Sequence, residues 1–377
     1  MLPVIESVQT SHYTTWVEIH LDHLLHNLRT LKKAFGFPNS AMAIVKANAY
    51  GHGLIEVAKT VASEVEYFGV SSLQDALALK EHQIEKPVFI FGRLLRPELP
   101  AALMNGIVLT VSSFEEAFEI SELSETLSRK TTVHIKVDTG MGRLGIPYRQ
   151  ALLTIEKIAK LDGIKVEGLY THFPTAELDD GFRDRQLIHF SQLVETLYKQ
   201  GITFRYRHAP NSAGILKGPH PVINLIRPGI MLYGLYPDKS LTHMAQVKPV
   251  LSLKTRIISL KQLQAEESAG YGRSYIAKAP TNIAVLPIGY SHGYPFTASN
   301  KAYVLYHGKR YPLAGRVSMD YLTIDLGETA ARIGDEVTLI GQDQKEKIRA
   351  EDLAQWAGTI PYEIVTRLIP TLPRIYK

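Results

Sequence analysis

The chain has 377 residues, 45% hydrophobic and 21% charged, enough to bury a large core and to build one large domain beside a smaller one. Its net charge of +5 comes from 42 Lys and Arg against 37 Asp and Glu without a basic cluster, which argues against a nucleic-acid or anionic-membrane partner and suits small anionic ligands. With 0 cysteines there are no disulfides, thiol nucleophiles or cysteine metal sites, and no apolar run of about 18 residues offers a membrane span.

The opening "MLPVIESVQT" lacks the basic start and apolar core of a secretory signal, so a cytoplasmic protein is expected. The alternation in "TTWVEIHL" leaves residues 1–20 able to pair with either domain. From residue 42 short apolar runs alternate with longer amphipathic stretches. The predicted strands are "MAIVK" at 42, "YFGVSS" at 67, "VFIF" at 88, "IVLTV" at 107, "TVHIKVD" at 132, "KVEGLYTHF" at 165, "FRYRHA" at 204 and "INLIRPG" at 223. Helical patterns such as "GLIEVAKTVASE", "SSFEEAFEISELSETL" and "RQLIHFSQLVETLYKQ" separate them. Eight strands alternating with helices predict an α/β fold, a (β/α)8 TIM-like barrel over residues 14–245. After about residue 245 the texture changes to strands and turns, interrupted only by the helical "AEDLAQWAG", and predicts a C-terminal β-rich domain over 246–377.

Barrel chemistry collects where strands end and loops begin. Lys46, Asp138 with Arg143, His172, Asn211 with Ser212, and Arg227 before Pro228 and Gly229 fall there. Each alone is ordinary: a lysine ending a strand usually snorkels to solvent, and a serine in "NSAG" is usually a helix cap. Together they would converge on one pocket. A desolvated lysine flanked by cations becomes a nucleophile, suited to a Schiff base with an aldehyde. The backbone of "RPGIMLYG" and "NSAG" offers a phosphate cradle. An aldehyde that carries a phosphate is pyridoxal phosphate. No metal enters this reading.

The segments "AIVKANAYGHG", "KVDTGMGRLG", "YTHF", "NSAG", "IRPGIMLYG", "AGYGRSY" and "AGRVSMD", in this order from about residue 14 to the end, resemble the pyridoxal phosphate-dependent alanine racemases. The resemblance implies interconversion of L- and D-alanine by two bases, supplying D-alanine for peptidoglycan. It implies that Lys46 holds the cofactor covalently, that Tyr50, Ser212, Tyr362 and the backbone of Gly229 and Ile230 bind its phosphate, with Asn211 beside them, and that Arg227 faces the pyridine nitrogen. Lys46 would serve one face of the substrate and Tyr271 the other, Tyr271 coming from the partner of a homodimer and being linked to Arg227 through His172. Arg143 would meet the substrate carboxylate and the cofactor's phenolic oxygen, with the backbone of Met319 of the second copy beside the substrate, and Tyr290 and Tyr362 would narrow the entrance. In many members the residue matching Lys136 is carbamylated and orients the arginine. Three positions depart from the pattern: His292 stands where aspartate is usual, Pro174 where a smaller residue is common, and Ser318 where cysteine is frequent. The alternatives are a racemase of broader specificity and a decarboxylase of the same plan, which would need a catalytic cysteine this chain lacks.

Overall fold

The structure, a computed structural model, describes residues 12–36, 40–178 and 180–377. The "MLPVIESVQT" segment lies outside the described residues.

Among the described residues, seven strands follow one another in a parallel sheet in sequence order, Met42–Ile44, Tyr67–Val70, Val88–Ile90, Val108–Val111, Thr131–Asp138, Ile164–Tyr170 and Tyr206–His208, and the two-residue Ile146–Pro147 pairs with Thr131–Asp138 off that path. Nearly all their residues are buried, which is why they read as continuous apolar runs. Helices cross between successive strands, and two of them start on a serine whose Oγ accepts a backbone N–H: Ser72 from Asp75 at 3.2 Å and Ser113 from Glu116 at 3.1 Å.

The expected eighth strand is corrected. "INLIRPG" forms only an isolated parallel bridge, Ile226 with Ala41. Backbone bonds still close the ring there: Asn224 N–H donates to Arg207 O at 3.0 Å, Met42 N–H to Ile226 O at 2.9 Å and Ile44 N–H to Pro228 O at 3.0 Å. Pro228 has no N–H to return, so the ladder stops at the point where Arg227 turns into the barrel.

The strand Thr15–Ile19 pairs with Leu251–Arg256 and with Arg374–Tyr376, so it belongs to the β-rich part of the molecule. That part's main sheet runs Lys309–Pro312, Tyr303–Tyr306, Glu336–Asp343, Leu251–Arg256, Thr15–Ile19, Arg374–Tyr376, and a three-stranded sheet of Ser259–Leu263, Thr281–Leu286 and Leu322–Gly327 stands beside it. The helix read in "AEDLAQWAG" is Ala350–Ala357, but it is not the only interruption. A six-residue helix, Pro361–Thr366, follows, too short to show a period, with proline in its first turn.

Candidate active site

One pocket at the C-terminal ends of the barrel strands is lined by Lys46, Tyr50, Lys136, Arg143, His172, Asn211, Ser212, Arg227, Gly229, Ile230 and Tyr362, with Phe91 and Tyr170 among its apolar walls. Of the barrel residues singled out from the sequence, Lys46, Arg143, His172, Asn211, Ser212, Arg227 and Gly229 therefore meet, while Asp138 and Pro228 do not line the pocket. Tyr271, Tyr290 and Met319 do not: they lie on the β-rich part, 73%, 46% and 55% exposed.

Lys46 follows the strand Met42–Ile44, and the chain then makes a left-handed turn. Ala47, Asn48, Ala49 and Tyr50 all have φ between 51° and 54°, followed by Gly51 at 81°. A left-handed run of non-glycine residues costs roughly 1–2 kcal/mol per residue, so the surroundings must impose it. The turn sends Lys46 and Tyr50 into the same pocket. Burial and the neighbouring Arg143 lower the Lys46 amine from its ordinary range.

Arg227 is 3% exposed and buried without a carboxylate. Its Nη1 donates to His208 Nδ1 at 2.8 Å, and its Nη2 to Ala209 O at 2.8 Å, Thr171 O at 3.0 Å and His172 Nδ1 at 3.1 Å. Burial alone brings it down to about 10, so it stays a cation at neutral pH. His172 is pushed down to about 3, by burial first and then by Arg227, Arg143, Lys136 and Lys46, and is neutral there. Lys136 comes down to about 8 through burial, Arg143 and Arg227. A nearby carboxylate, Asp138, is taken up by its own loop, its Oδ1 accepting the N–H groups of Gly140 at 2.9 Å and Met141 at 2.8 Å. Cations thus outnumber anions here, and an anionic ligand would relieve the repulsion.

Asn211, not Ser212, caps the helix Ser212–Leu216, its Oδ1 accepting from Gly214 N–H at 2.9 Å. Ser212 Oγ is left to accept from Gly229 N–H at 3.1 Å and Met231 N–H at 3.2 Å. A Cβ on Gly229 would lie 3.1 Å from the Tyr50 phenol oxygen and 3.7 Å from Ser212 Oγ, so the absence of a side chain there leaves a small polar cradle open.

Sequence reasoning missed what lies beneath Arg227. Because a guanidinium only donates, His208 Nδ1 accepts and its Nε2–H donates to His134 Nδ1 at 2.9 Å. His134 Nε2 then faces Glu167 Oε2 at 3.9 Å, beyond hydrogen-bond reach, and Tyr67 donates its phenol proton to the same carboxylate. Tyr170 stacks on His208 at 4.7 Å with rings 4° apart. One signal was available: His134 and Lys136 are two apart on one strand and so share a face. Lys136 and Arg143, an odd number apart, also meet in the pocket, because the loop after Asp138 breaks the alternation.

A second crevice, lined by Glu18, His20, His23, Lys254 and Arg349, opens where the first helix meets the main β sheet. Its carboxylate is already paired, with Lys377 at 2.8 Å and Lys254 at 3.6 Å, and it gathers no nucleophile.

The family model "Alanine racemase, N-terminal domain" matches residues 19–237, and "Alanine racemase, C-terminal domain" matches 250–376. The chain belongs to the alanine racemase family. Among curated members of that family, the alanine racemase of Carboxydothermus hydrogenoformans is 40% identical over 96% of this chain and 99% of its own length, and that of Halothermothrix orenii 39% over 96% and 97%. Among solved structures, the family member from Clostridium difficile 630 superposes with a TM-score of 0.91 at 32% identity, covering 97% of this chain and 96% of that one. A histidine racemase from Leuconostoc mesenteroides superposes with a TM-score of 0.88 at 26% identity, covering 97% and 98%. Proteins of this fold thus include racemases named for different amino acids.

Proposed function

We propose that this chain interconverts L- and D-alanine with pyridoxal phosphate, as a homodimer in which the chain from Leu21 to residue 245 forms the cofactor barrel, and residues 246–377, with the strand Thr15–Ile19, form the domain that completes the partner's site. The carrying observation is the meeting of Lys46, Lys136, Arg143, His172 and Arg227 in one cation-rich pocket beside the Ser212, Gly229 and Tyr50 cradle. The donor set fits the cofactor: an amine depressed by burial for the aldehyde, a hydroxyl, phenols and backbone N–H groups for the phosphate, and a fixed guanidinium for the ring. When bound, pyridoxal phosphate supplies an aldehyde for amine condensation and a ring that withdraws electron density from the substrate's α-carbon.

Ser212, Tyr50, Tyr362 and the backbone of Gly229 and Ile230 would hold the phosphate, with Asn211 bracing Ser212. Arg227 has both Nη atoms engaged by protein acceptors, and among the described residues its Nε makes no hydrogen bond, which leaves Nε as the donor for the ring nitrogen. Arg143, exposed at the mouth, would pair with the substrate carboxylate beside the partner's Met319 backbone. Lys46 would take or return the α-proton on one face and Tyr271 of the second copy on the other; His172, neutral and held by Arg227, would face that phenol. Tyr290 and Tyr362 would narrow the approach and favour a methyl side chain. Near Tyr290, His292 Nδ1 accepts from Gly289 N–H at 3.2 Å, while Asp320 accepts from Ser291 Oγ at 2.8 Å, so a carboxylate remains by the entrance despite the histidine. Ser318 satisfies itself on Tyr321 O at 2.7 Å.

Lys136, lowered to about 8, has enough neutral amine to add carbon dioxide through Nζ and release a proton. The resulting carbamate would convert a cation that repels Arg143 into an anion that holds it. The reaction would serve D-alanine supply for peptidoglycan in the cytoplasm; among the described residues no helix is long and apolar enough to cross a membrane.

The test is an assay of the purified protein with each enantiomer of alanine, serine, lysine, arginine and histidine. Interconversion of alanine in both directions, faster than any other pair, is expected. Turnover that favours a larger amino acid, or none with alanine, would overturn the reading.

A further inference from the structure

The strained turn after Lys46 is held from behind by the end of the chain. Arg374 Nε donates to Gly51 O at 2.8 Å, at the close of the left-handed run. Its Nη1 donates to Leu372 O at 3.0 Å, Pro370 O at 3.1 Å and Ile369 O at 3.2 Å, and its Nη2 to Leu368 O at 3.2 Å. All five acceptors are backbone carbonyls, so the guanidinium works here as a rigid fork that fastens one loop to another. The glycines of the turn show how close the approach is. A Cβ on Gly51 would lie 2.1 Å from Val365 O, and one on Gly53 would lie 1.9 Å from the Tyr376 phenol oxygen.

A second clamp lies inside the turn. His52 is fully buried, and its Nδ1 reaches Tyr50 O at 2.8 Å and Ala49 O at 3.1 Å. Both are acceptors, so the proton sits on Nδ1, and Nε2 is left as a buried lone pair without a partner among the described residues. The ring packs on Tyr233 at 4.5 Å, whose phenol donates to Ile44 O at 2.8 Å, two residues before Lys46. The loop that Arg374 gathers also touches the exposed Tyr290 turn, through Ile369 N–H to His292 O at 3.3 Å.

We infer that Arg374 is a positioning residue for Lys46 and Tyr50: by fastening Gly51 to the 368–372 loop it keeps the left-handed turn, and with it the amine and the phenol, aimed into the pocket, while His52 fixes the turn from within. This inference rests on the cofactor reading of that pocket. It ties the turn after Lys46 to the last strand of the β-rich part, Gly51 and Arg374 lying 323 residues apart along the chain.

The test is amide hydrogen exchange on the purified holoenzyme and on Arg374→Met and Arg374→Lys. The reporters are the Ala49, Gly51, His52 and Gly53 amides, which donate to Val45 O, Ala47 O, Ala49 O and Asn48 O. Arg374→Met should exchange these amides about tenfold faster or more, with barrel-strand amides unchanged, and should weaken pyridoxal phosphate binding by a similar factor, the loss expected for buried bonds from a charged donor. Arg374→Lys, able to reach some of the carbonyls, should fall between. A Val337→Ala control in the main sheet should lower the melting temperature without moving the reporters. If Arg374→Met or Arg374→Lys unfolds or destabilises the chain only globally, with exchange raised evenly, the role is structural and the inference is wrong. Unchanged exchange at the turn overturns it as well. Failure of the cofactor reading would show separately, as a wild-type protein that neither binds pyridoxal phosphate nor turns over alanine while its turn amides stay protected.

Discussion

The barrel mouth and the exposed face of the β-rich part carry the two halves of the proposed chemistry, and they are built by opposite rules. At the mouth, Arg227 and Ser212 are 3% exposed, and each is aimed by hydrogen bonds to its neighbours. On the other face Tyr271 stands 73% exposed between two glycines, and Met319 and Tyr290 are exposed too. Soluble chains tolerate single exposed aromatics, and Tyr271, Tyr290, Phe296, Met319 and Tyr321 are all exposed on this part, which the proposed dimer would cover. In the proposed dimer the first half is assembled by one chain, and the second would act only against another copy.

That contrast can be broken by substitution. Lys46→Ala should remove the cofactor link and lower turnover of both enantiomers by about 10²–10⁴-fold or more, the scale of a lost general base combined with a lost covalent anchor. Tyr271→Phe should cost a similar factor while leaving cofactor absorbance and affinity unchanged, because its phenol lies outside the pocket of its own chain. A loss of cofactor on Tyr271→Phe, read by absorbance, would erase the distinction between the two regions. Ser212→Ala, which strips an acceptor from Gly229 and Met231 N–H and a donor from the phosphate cradle, should weaken cofactor binding about tenfold to a hundredfold in titrations and change turnover at saturating cofactor much less.

A smaller effect sharpens the electrostatics of the mouth. The folded chain holds unmodified Lys136 down to about 8, below its unfolded value, so the unfolded state binds more protons between about 8 and the ordinary lysine range. Stability should therefore rise with pH across that window and stay at its lower level below it, where both states carry the proton. Denaturant unfolding of the wild type and Lys136→Met reads the difference. A rise present only in the wild type means a bare amine, whereas no difference in slope, with carbamate seen in native mass measurement, means the amine is already capped.

Much of this was legible in the sequence because barrel geometry turns strand ends into a shared site: Lys46, Arg143, His172, Ser212 and Arg227 each end or follow a different strand or closing segment. The eighth strand was not, since Pro228 interrupts a ladder that periodicity cannot see. His134, His208 and Glu167 escaped because a polar residue inside a barrel strand looks like any other alternation until the strand opposite it is known. The hold of Arg374 on Gly51 joins residues that no local pattern relates. Tyr271 was reachable only through resemblance, because within one chain nothing near it resembles a site.

Mixed dimers test the shared site most directly. Lys46→Ala and Tyr271→Phe homodimers, each nearly inactive, are unfolded together and refolded at equal ratio, which places about half of the molecules in heterodimers with one intact composite site by random pairing. Racemisation recovered to about a quarter of the wild-type rate is the predicted result. No activity above that of the two parents, with heterodimers verified by mass, would contradict a phenol supplied across the subunit boundary.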